Sequence, residues 1–374
     1  MRSMGVEEEL ILLDPGTGEP RNLAAEVVRV ADAREKHNPA SDDARGGTLG
    51  HELQKSQIET DNPPLTDLGE LEESLRAWRE RARASALEVG ARVLASGTSP
   101  LSGETSALRT QRFDAMAQRY GLTLAEQLIC GCHVHVDIES PEEGVGVLDR
   151  IRSWLPLLLA ISANSPWWQG RDTAYESYRS QIMVRWPSAG PTPYFGTPEN
   201  YRSHVDAMLA TGVLLDEAMV YTDARLSALH PTVEIRTADV CLDVRDAVLV
   251  AALCRAMVET AAREWAEGVE APRTRSPLIR LATWKAGRYG LTGDLVDFRD
   301  GTSKPAADVL AALLDHVDDA LGDAGDRDHV HRGIERLLAE GTGAQVQRRL
   351  LAEAEGEDGL AFAVRAMTDV AMGQ

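Results

Sequence analysis

The chain is poor in lysine, aromatic residues and cysteine, and it has no long hydrophobic run. Lysine occurs only as Lys36, Lys55, Lys285 and Lys304, so nearly all basic charge is arginine. Lys+Arg total 39 against 59 Asp+Glu, a formal charge of −20. A duplex-binding surface needs a cationic face, so no nucleic acid partner is expected, and an anionic membrane surface suits the chain no better. Aromatics make up 5%, which together with abundant Ala and Arg reads as coding bias. The four cysteines are Cys130, Cys132, Cys241 and Cys254. Cys130 and Cys132 are too close for an easy disulfide, and sparse unpaired thiols fit a reduced cytoplasm. The longest apolar run, Trp154 to Ile161, contains Pro156 and is too short to cross a bilayer. The N-terminus leads directly into Glu7-Glu8-Glu9 without a signal-peptide hydrophobic region. No membrane partner and a cytoplasmic location are therefore expected. Also missing are a Walker A loop, a dinucleotide glycine motif and a Gly-x-Ser-x-Gly elbow; Gly144-Val145-Gly146 lacks the third glycine.

What remains is an ordinary globular composition. With 374 residues and 43% hydrophobic side chains, the chain can bury a sizeable core. Strand patterns cover Val6–Leu13, His51–Thr60, Ala91–Ser96, Gln127–Ile138 and Thr232–Thr237. Helical spacing covers Ala24–Ala33, Asp67 to about Gly90 with Thr66 as cap, Arg109–Tyr120, a start at Ser140-Pro141, and Asp243–Trp265. Residues 34–50 read as a loop or irregular hairpin. Residues 165–199, rich in Pro, Trp, Gly and Tyr, read as a long functional loop. The chain beyond about residue 270 reads as mostly helical.

Four of the predicted strands carry polar residues at i and i+2, which point to one face. They are Glu7 and Glu9; Gln57 and Glu59, with Glu52 at the other end; His133, His135 and Asp137; and Glu234 and Arg236. The residues between them are apolar, except Glu8, which breaks the alternation. A solvated antiparallel face also alternates, but it usually mixes Thr, Lys and Arg. This face is almost wholly acidic with two histidines and one arginine. Adjacent carboxylates repel, so such a face wants cations. Glu with one or two His suits Mg²⁺ or Mn²⁺, and an arginine among them suits a transferring phosphoryl group. A cupin-like or zinc-hydrolase site also fits His-x-His, but no third His or Cys ligand stands in a comparable context. Cys130 and Cys132 read as packing residues of a buried strand.

At these residues the sequence resembles the bacterial type 2 glutamate–cysteine ligase family, in its carboxylate–amine ligase (YbdK-type) branch. The matching stretches run in family order: Gly5-Val6-Glu7-Glu8-Glu9, Gln57-Ile58-Glu59, Gly131-Cys132-His133-Val134-His135-Val136, Ser162-Ala163-Asn164-Ser165-Pro166-Trp167-Trp168, Asp172-Thr173, Ser177-Tyr178-Arg179, Pro231-Thr232-Val233-Glu234-Ile235-Arg236 and Gly287-Arg288-Tyr289-Gly290-Leu291. The resemblance implies an α+β, glutamine-synthetase-like fold, a curved antiparallel sheet forming a funnel flanked by helices. It implies one catalytic domain over 1–374, with a sheet-bearing part at 1–270 and a mostly helical part at 271–374, and a homodimer. It implies ATP as co-substrate and Mg²⁺ held by Glu7, Glu9, Glu59, His133 and Glu234, with Glu52 as a further acidic ligand. Arg236 then contacts the transferred phosphoryl group, with His135 also on the ATP side, and Arg236 and Glu234 carry the catalysis. Arg179 is the implied clamp for a substrate carboxylate, with Tyr178 beside it. The implied reaction joins a small carboxylate to an amine through an acyl phosphate.

The chain departs from the family pattern at Ala174-Tyr175-Glu176, where a Gly-Phe-Ala-like run is usual, at Asp137 and at Thr283-Trp284-Lys285. Tyr175 and Glu176 become candidate substrate selectors, so the activity need not be on glutamate and cysteine. A metal-dependent amidase on the same face and a non-catalytic binding protein are the competing readings.

Overall fold

The computed structural model describes residues 1–37, 47–103, 105–354 and 359–372. The elements run β1 (Met4–Leu13), α1 (Ala24–His37), β2 (Thr48–His51), β3 (Gln57–Asp61), α2 (Leu68–Glu88), β4 (Arg92–Leu94), α3 (Gln111–Tyr120), α4 (Leu122–Ala125) and β5 (Gly131–Asp137). Then follow α5 (Pro141–Ile151), α6 (Leu155–Ser162), β6 (Trp167–Trp168), β7 (Arg171–Asp172), α7 (Arg179–Met183), α8 (Pro198–Ala210), β8 (Ala224–Leu226), β9 (Thr232–Asp239) and α9 (Val244–Ala266). The last part holds α10 (Ser276–Tyr289), β10 (Asp294–Asp297), β11 (Thr302–Pro305), α11 (Ala306–Ala324), α12 (Arg327–Glu340), α13 (Gly343–Glu353) and α14 (Gly359–Ala371).

The main sheet is antiparallel and open, in the order β2-β3-β1-β5-β9-β8, with β4 pairing the far half of β1. Period-two alternation sorts its residues. Val6, Val134, Val136, Val233 and Ile235 are buried in one core cluster with the apolar face of α9. A second cluster gathers Leu10, Leu12 and Val93 with α1, α2 and the C-terminal α14. The opposite face of β1, β3, β5 and β9 carries the polar set. α2 is capped by Asp67, whose side chain accepts from the Glu70 amide at 2.9 Å. That moves the expected cap by one residue from Thr66.

Two expectations change. The strand read over His51–Thr60 is a hairpin, β2 and β3, and Glu52 lies in its connection. The loop read at 34–50 falls partly outside the described residues; its described ends are the last turn of α1 and β2. The C-terminal part is mostly helical, with β10 and β11 paired as a small hairpin between α10 and α11. Short β8 and α8 were not anticipated; both follow the Pro- and Gly-rich stretch where periodicity is weak.

Candidate active site

Strand register assembles the site. Glu9 faces Glu59 across β1–β3, Glu7 faces His133 across β1–β5, and His135 faces Glu234 across β5–β9. Gly50 is the β2 neighbour of Glu59, and a Cβ there would meet open space. The β5–β9 register shifts between Cys132 and Val134, and this bulge sets Arg236 beside His133. Bulges re-aim side chains at such places.

Two trios of donor atoms result, Glu7–His133–Glu234 and Glu9–Glu59–His133, each with all atoms within 4.8 Å. His133 belongs to both. Its Nδ1 lies 3.3 Å from Glu7 Oε2, and His135 Nε2 lies 3.2 Å from Glu7 Oε1. His135 Nδ1 is 2.9 Å from Thr232 Oγ1. Glu9 Oε2 accepts from the Gly131 amide at 2.5 Å. A Cβ on Gly131 would collide with Arg179 Nη2 and come within 3.0 Å of His133 Nε2, so glycine lets Arg179 approach the acidic face.

The electrostatics divide the carboxylates. Burial pushes Glu52 up to about 7, helped by the negative charge of Glu9. Burial also raises Glu59 well above the usual carboxylate range, and Glu52, Glu7 and Glu9 add repulsion. Burial opposes ionisation of Glu7 too, but hydrogen bonds to His133 and His135 outweigh it and hold its carboxyl far below the ordinary value. Glu234 is likewise opposed by burial, yet the charges of Arg236 and Arg225 bring it to about 2. Burial and the Arg236 charge depress His133, which keeps its imidazole neutral and free to ligate. A neutral His among crowded carboxylates, two of them starved of positive charge, is a donor set that fits a hard divalent cation.

Arg225 was not singled out from the sequence. Its Nε and Nη2 reach Glu234 Oε2 and Oε1 at 2.6 and 3.0 Å, while Arg236 Nη1 donates to the same Glu234 Oε1. Asp223 and Arg225 do alternate at i and i+2, but β8 is three residues long and gives the pattern no length. Arg179 is buried; Nη1 and Nη2 donate to the carbonyls of Thr237 and Arg236, each at 3.3 Å, and Nη1 lies 3.8 Å from buried Asp239. Arg179 and Arg236 both line a cleft of about 190 Å³ that opens between α7, the segment 221–223 ahead of β8, β9 and α10.

Residues 172–178 sit apart from that cleft. Arg348 on α13 binds Asp172 through Nε and Nη2 at 3.1 and 2.9 Å, donates to the Tyr175 carbonyl at 2.9 Å, and contacts Glu176. Tyr175 Oη accepts from Trp284 Nε1 at 3.2 Å. The rings of Tyr178 and Tyr175 are 5.8 Å apart. Glu176 and Ser177 amides both donate to the Gly287 carbonyl at 2.9 Å, so the Gly287-Arg288-Tyr289-Gly290 segment holds this loop. Ala174 has a φ of +63°, the left-handed region that a glycine there would enter freely. Asp137 ties the N-terminus, accepting from the Ser3 hydroxyl and, at 3.2 Å, from its amide. All four thiols are buried and unpaired, and burial pushes every one of them well above the normal thiol range.

Comparison with known proteins gives a family and a fold. The profile of a family described as "Glutamate-cysteine ligase family 2 (GCS2)" matches residues 3–366. A protein named "Putative glutamate--cysteine ligase 2" from Streptomyces coelicolor is 49% identical over 94% of this chain and 95% of its own. One named "Putative glutamate--cysteine ligase 2-1" from Streptomyces avermitilis is 50% identical over 94% of this chain and 95% of its own. Among solved structures, the glutamate–cysteine ligase of Francisella tularensis in complex with AMP aligns with a TM-score of 0.65 at 12% identity, over 100% of this chain and 89% of that one. The ligase PafA, in complex with the ubiquitin-like protein Pup, aligns at 0.53 and 12% identity, over 94% and 68%. These two show a shared fold.

Proposed function

The chain belongs to the glutamate–cysteine ligase family 2, and from that premise we propose that it is an ATP-dependent carboxylate–amine ligase whose chemistry runs on the acidic sheet face. The observation that carries the reading is the pair of donor trios that share His133, with Arg236 against one of them. A carboxylate is a poor acyl donor, because its oxygen is a poor leaving group. Phosphorylation by ATP gives an acyl phosphate, an amine attacks its carbonyl, and ADP and phosphate leave. No enzyme nucleophile is needed, in keeping with four buried thiols whose ionisation is suppressed.

Glu7, His133 and Glu234 would hold one divalent ion, and Glu9, Glu59 and His133 another, with Glu52 adding negative charge nearby. Magnesium ions so bound would neutralise the triphosphate and favour in-line transfer. The chain's own groups do the rest. Arg225 grips Glu234 with a planar fork and fixes its carboxylate while Arg236, on the same oxygen, keeps its remaining donors toward the cleft. Arg236 thus stands between the phosphoryl position and the substrate cleft, placed to stabilise charge that grows in the transition state. His135, anchored by Thr232, orients Glu7. Arg179, which reaches from the cleft to Gly131 beside the acidic face, is the candidate clamp for the carboxylate that is phosphorylated there. A homodimer in a reduced cytoplasm completes the reading, supported by the family and by the free thiols.

The test is ADP release with Mg²⁺ and ATP across a matrix of carboxylates and amines. Release that requires one member of each class supports the ligase. Amide cleavage without nucleotide would overturn it in favour of a hydrolase.

A further inference from the structure

The cleft beside Arg236 combines apolar walls with charged groups of both signs. Its walls are largely apolar, with Leu159, Met183, Val184 and Trp284 among them, and it carries two charged groups with nothing to pair with. One is Asp223. Its amide donates to the Gly190 carbonyl at 3.0 Å and its carbonyl accepts from the Arg236 amide at 2.9 Å, so the backbone is clamped at both ends. Its side-chain Oδ2 is shut off from solvent without a hydrogen-bond partner. Burial raises this carboxyl to about 6 against the pull of Arg280 and Arg179. The other is Arg280, exposed on α10 at the cleft. It makes no hydrogen bond or ion pair among the described residues, although its charge is the largest single one acting on Asp223.

A shielded carboxylate oxygen without a partner is costly, and structures keep such a group where a ligand completes it. The other two guanidinium groups on the cleft are already engaged, Arg236 by Glu234 and Arg179 by two backbone carbonyls. Each of those two keeps an unpartnered Nε but is held at its other nitrogens, whereas among the described residues neither the Asp223 carboxylate nor the Arg280 guanidinium has a side-chain hydrogen bond or ion pair. One anion and one cation that share a cavity without touching complement a zwitterion laid between them. The apolar walls complement its body. Because Asp223 bonds the backbone of Arg236, a nitrogen held on Asp223 lies next to the phosphoryl-transfer arginine.

We propose that this cleft receives the amine co-substrate and that it selects bulky apolar α-amino acids, with Asp223 taking the ammonium and Arg280 the carboxylate. This rests on the ligase reading for the words "co-substrate", but the binding itself does not. The specificity assigned here differs from what a small thiol-bearing amino acid would need, since the cleft surface is mostly apolar carbon, with Ser180, Gln181 and three threonines adding only polar edges.

The experiment is calorimetric titration of the full chain with leucine, methionine, phenylalanine and tryptophan. Cysteine and glycine serve as small controls, and isoamylamine and isocaproate as leucine lacking the carboxylate or the ammonium. At least one bulky apolar amino acid should bind about tenfold or more tighter than cysteine and glycine, since a few buried methylenes suffice for that ratio. Asp223→Asn should weaken leucine and isoamylamine about tenfold or more and leave isocaproate unchanged. Arg280→Met should weaken leucine and isocaproate and leave isoamylamine unchanged. Arg280 is exposed, so this variant folds, and near-ultraviolet circular dichroism checks Asp223→Asn. Equal binding of cysteine and leucine, or leucine binding unaffected by both substitutions, overturns the proposal. A chain that binds these amino acids yet releases no ADP with any carboxylate overturns the ligase reading alone. A chain that releases ADP with other amines but binds none of these overturns the cleft assignment alone.

Discussion

Glu7 and Glu234 lie on strands β1 and β9, separated by β5, yet their carboxylate oxygens and a His133 ring nitrogen all fall within 4.8 Å of one another. Two acids converge on one imidazole because alternation puts all three on one face and the register sets them side by side. Without a cation, His133 and His135 hold Glu7, and Arg225 and Arg236 hold Glu234, in the ionised form. The cost of like charge falls instead on Glu52 and Glu59, which lack such partners.

The pH dependence of the metal-free protein follows from Glu52. Its carboxyl rises from 4.5 to about 7 on folding, so between those values the folded state binds more protons than the unfolded one. Stability therefore falls as pH rises across that window. In chelator, the melting temperature should be lower at pH 8 than at pH 6. Added Mg²⁺ should raise it more at the higher pH. A metal-free melting temperature that climbs from pH 6 to pH 8, with Glu52→Gln showing the same climb, would count against this assignment.

Glu59→Gln removes one member of the crowded set. The metal-free variant should melt as high as the parent or a few degrees higher, because repulsion and a desolvation cost are relieved. Its stabilisation by Mg²⁺ should be largely lost. Thermal unfolding with and without Mg²⁺ reads both effects.

Arg236→Lys keeps a charge but loses the planar fork. Turnover should fall by about tenfold or more while the KM for ATP changes little, the mark of an interaction made in the transition state. Steady-state kinetics with varied ATP separates the two. Unchanged kcat removes Arg236 from phosphoryl transfer.

Glu8 stands on the wrong face for the polar pattern, and the structure explains it. Its carboxylate is buried with Arg79 of α2, at 2.5 and 2.8 Å, and Arg79 also donates to the carbonyls of Cys241, Leu242 and Ala371. Glu8→Gln leaves a buried guanidinium without its counter-charge and should destabilise the fold by about 3–5 kcal/mol. Denaturant unfolding measures this, and a loss under about 1 kcal/mol would show the pair to be dispensable.

Ala174 at φ +63° predicts a gain instead. Ala174→Gly should stabilise by up to about 1 kcal/mol, the relief of left-handed strain being partly offset by the freer unfolded chain. The same variant tests the loop's part in selectivity: the ranking of carboxylate substrates should hold, because Asp172 and Glu176 are held by Arg348.

How much of this was legible follows the range of the interactions. Glu7, Glu9, Glu59, His133 and Glu234 could be read from the sequence because strand alternation is local and repeats four times. Glu8 could not, because Arg79 lies 71 residues away. Arg225 and Asp223 sit on or beside a three-residue strand, too short for a period to show. Glu52 was read onto one strand with Glu59, whereas the turn at 52–56 folds it back and still leaves its charge near Glu9. The latch of Arg348 on Asp172 and Glu176 joins segments 172 to 176 residues apart, beyond any spacing argument.

The central claim is that the acidic face and Arg236 activate a carboxylate by phosphorylation before an amine attacks. The direct measurement is a single reaction with a heavy-oxygen-labelled carboxylate, ATP, Mg²⁺ and an accepted amine, followed by mass analysis of the released phosphate. One labelled oxygen should appear in phosphate for each amide formed, with ADP in equal amount. Unlabelled phosphate, or AMP and pyrophosphate in place of ADP, would contradict the account.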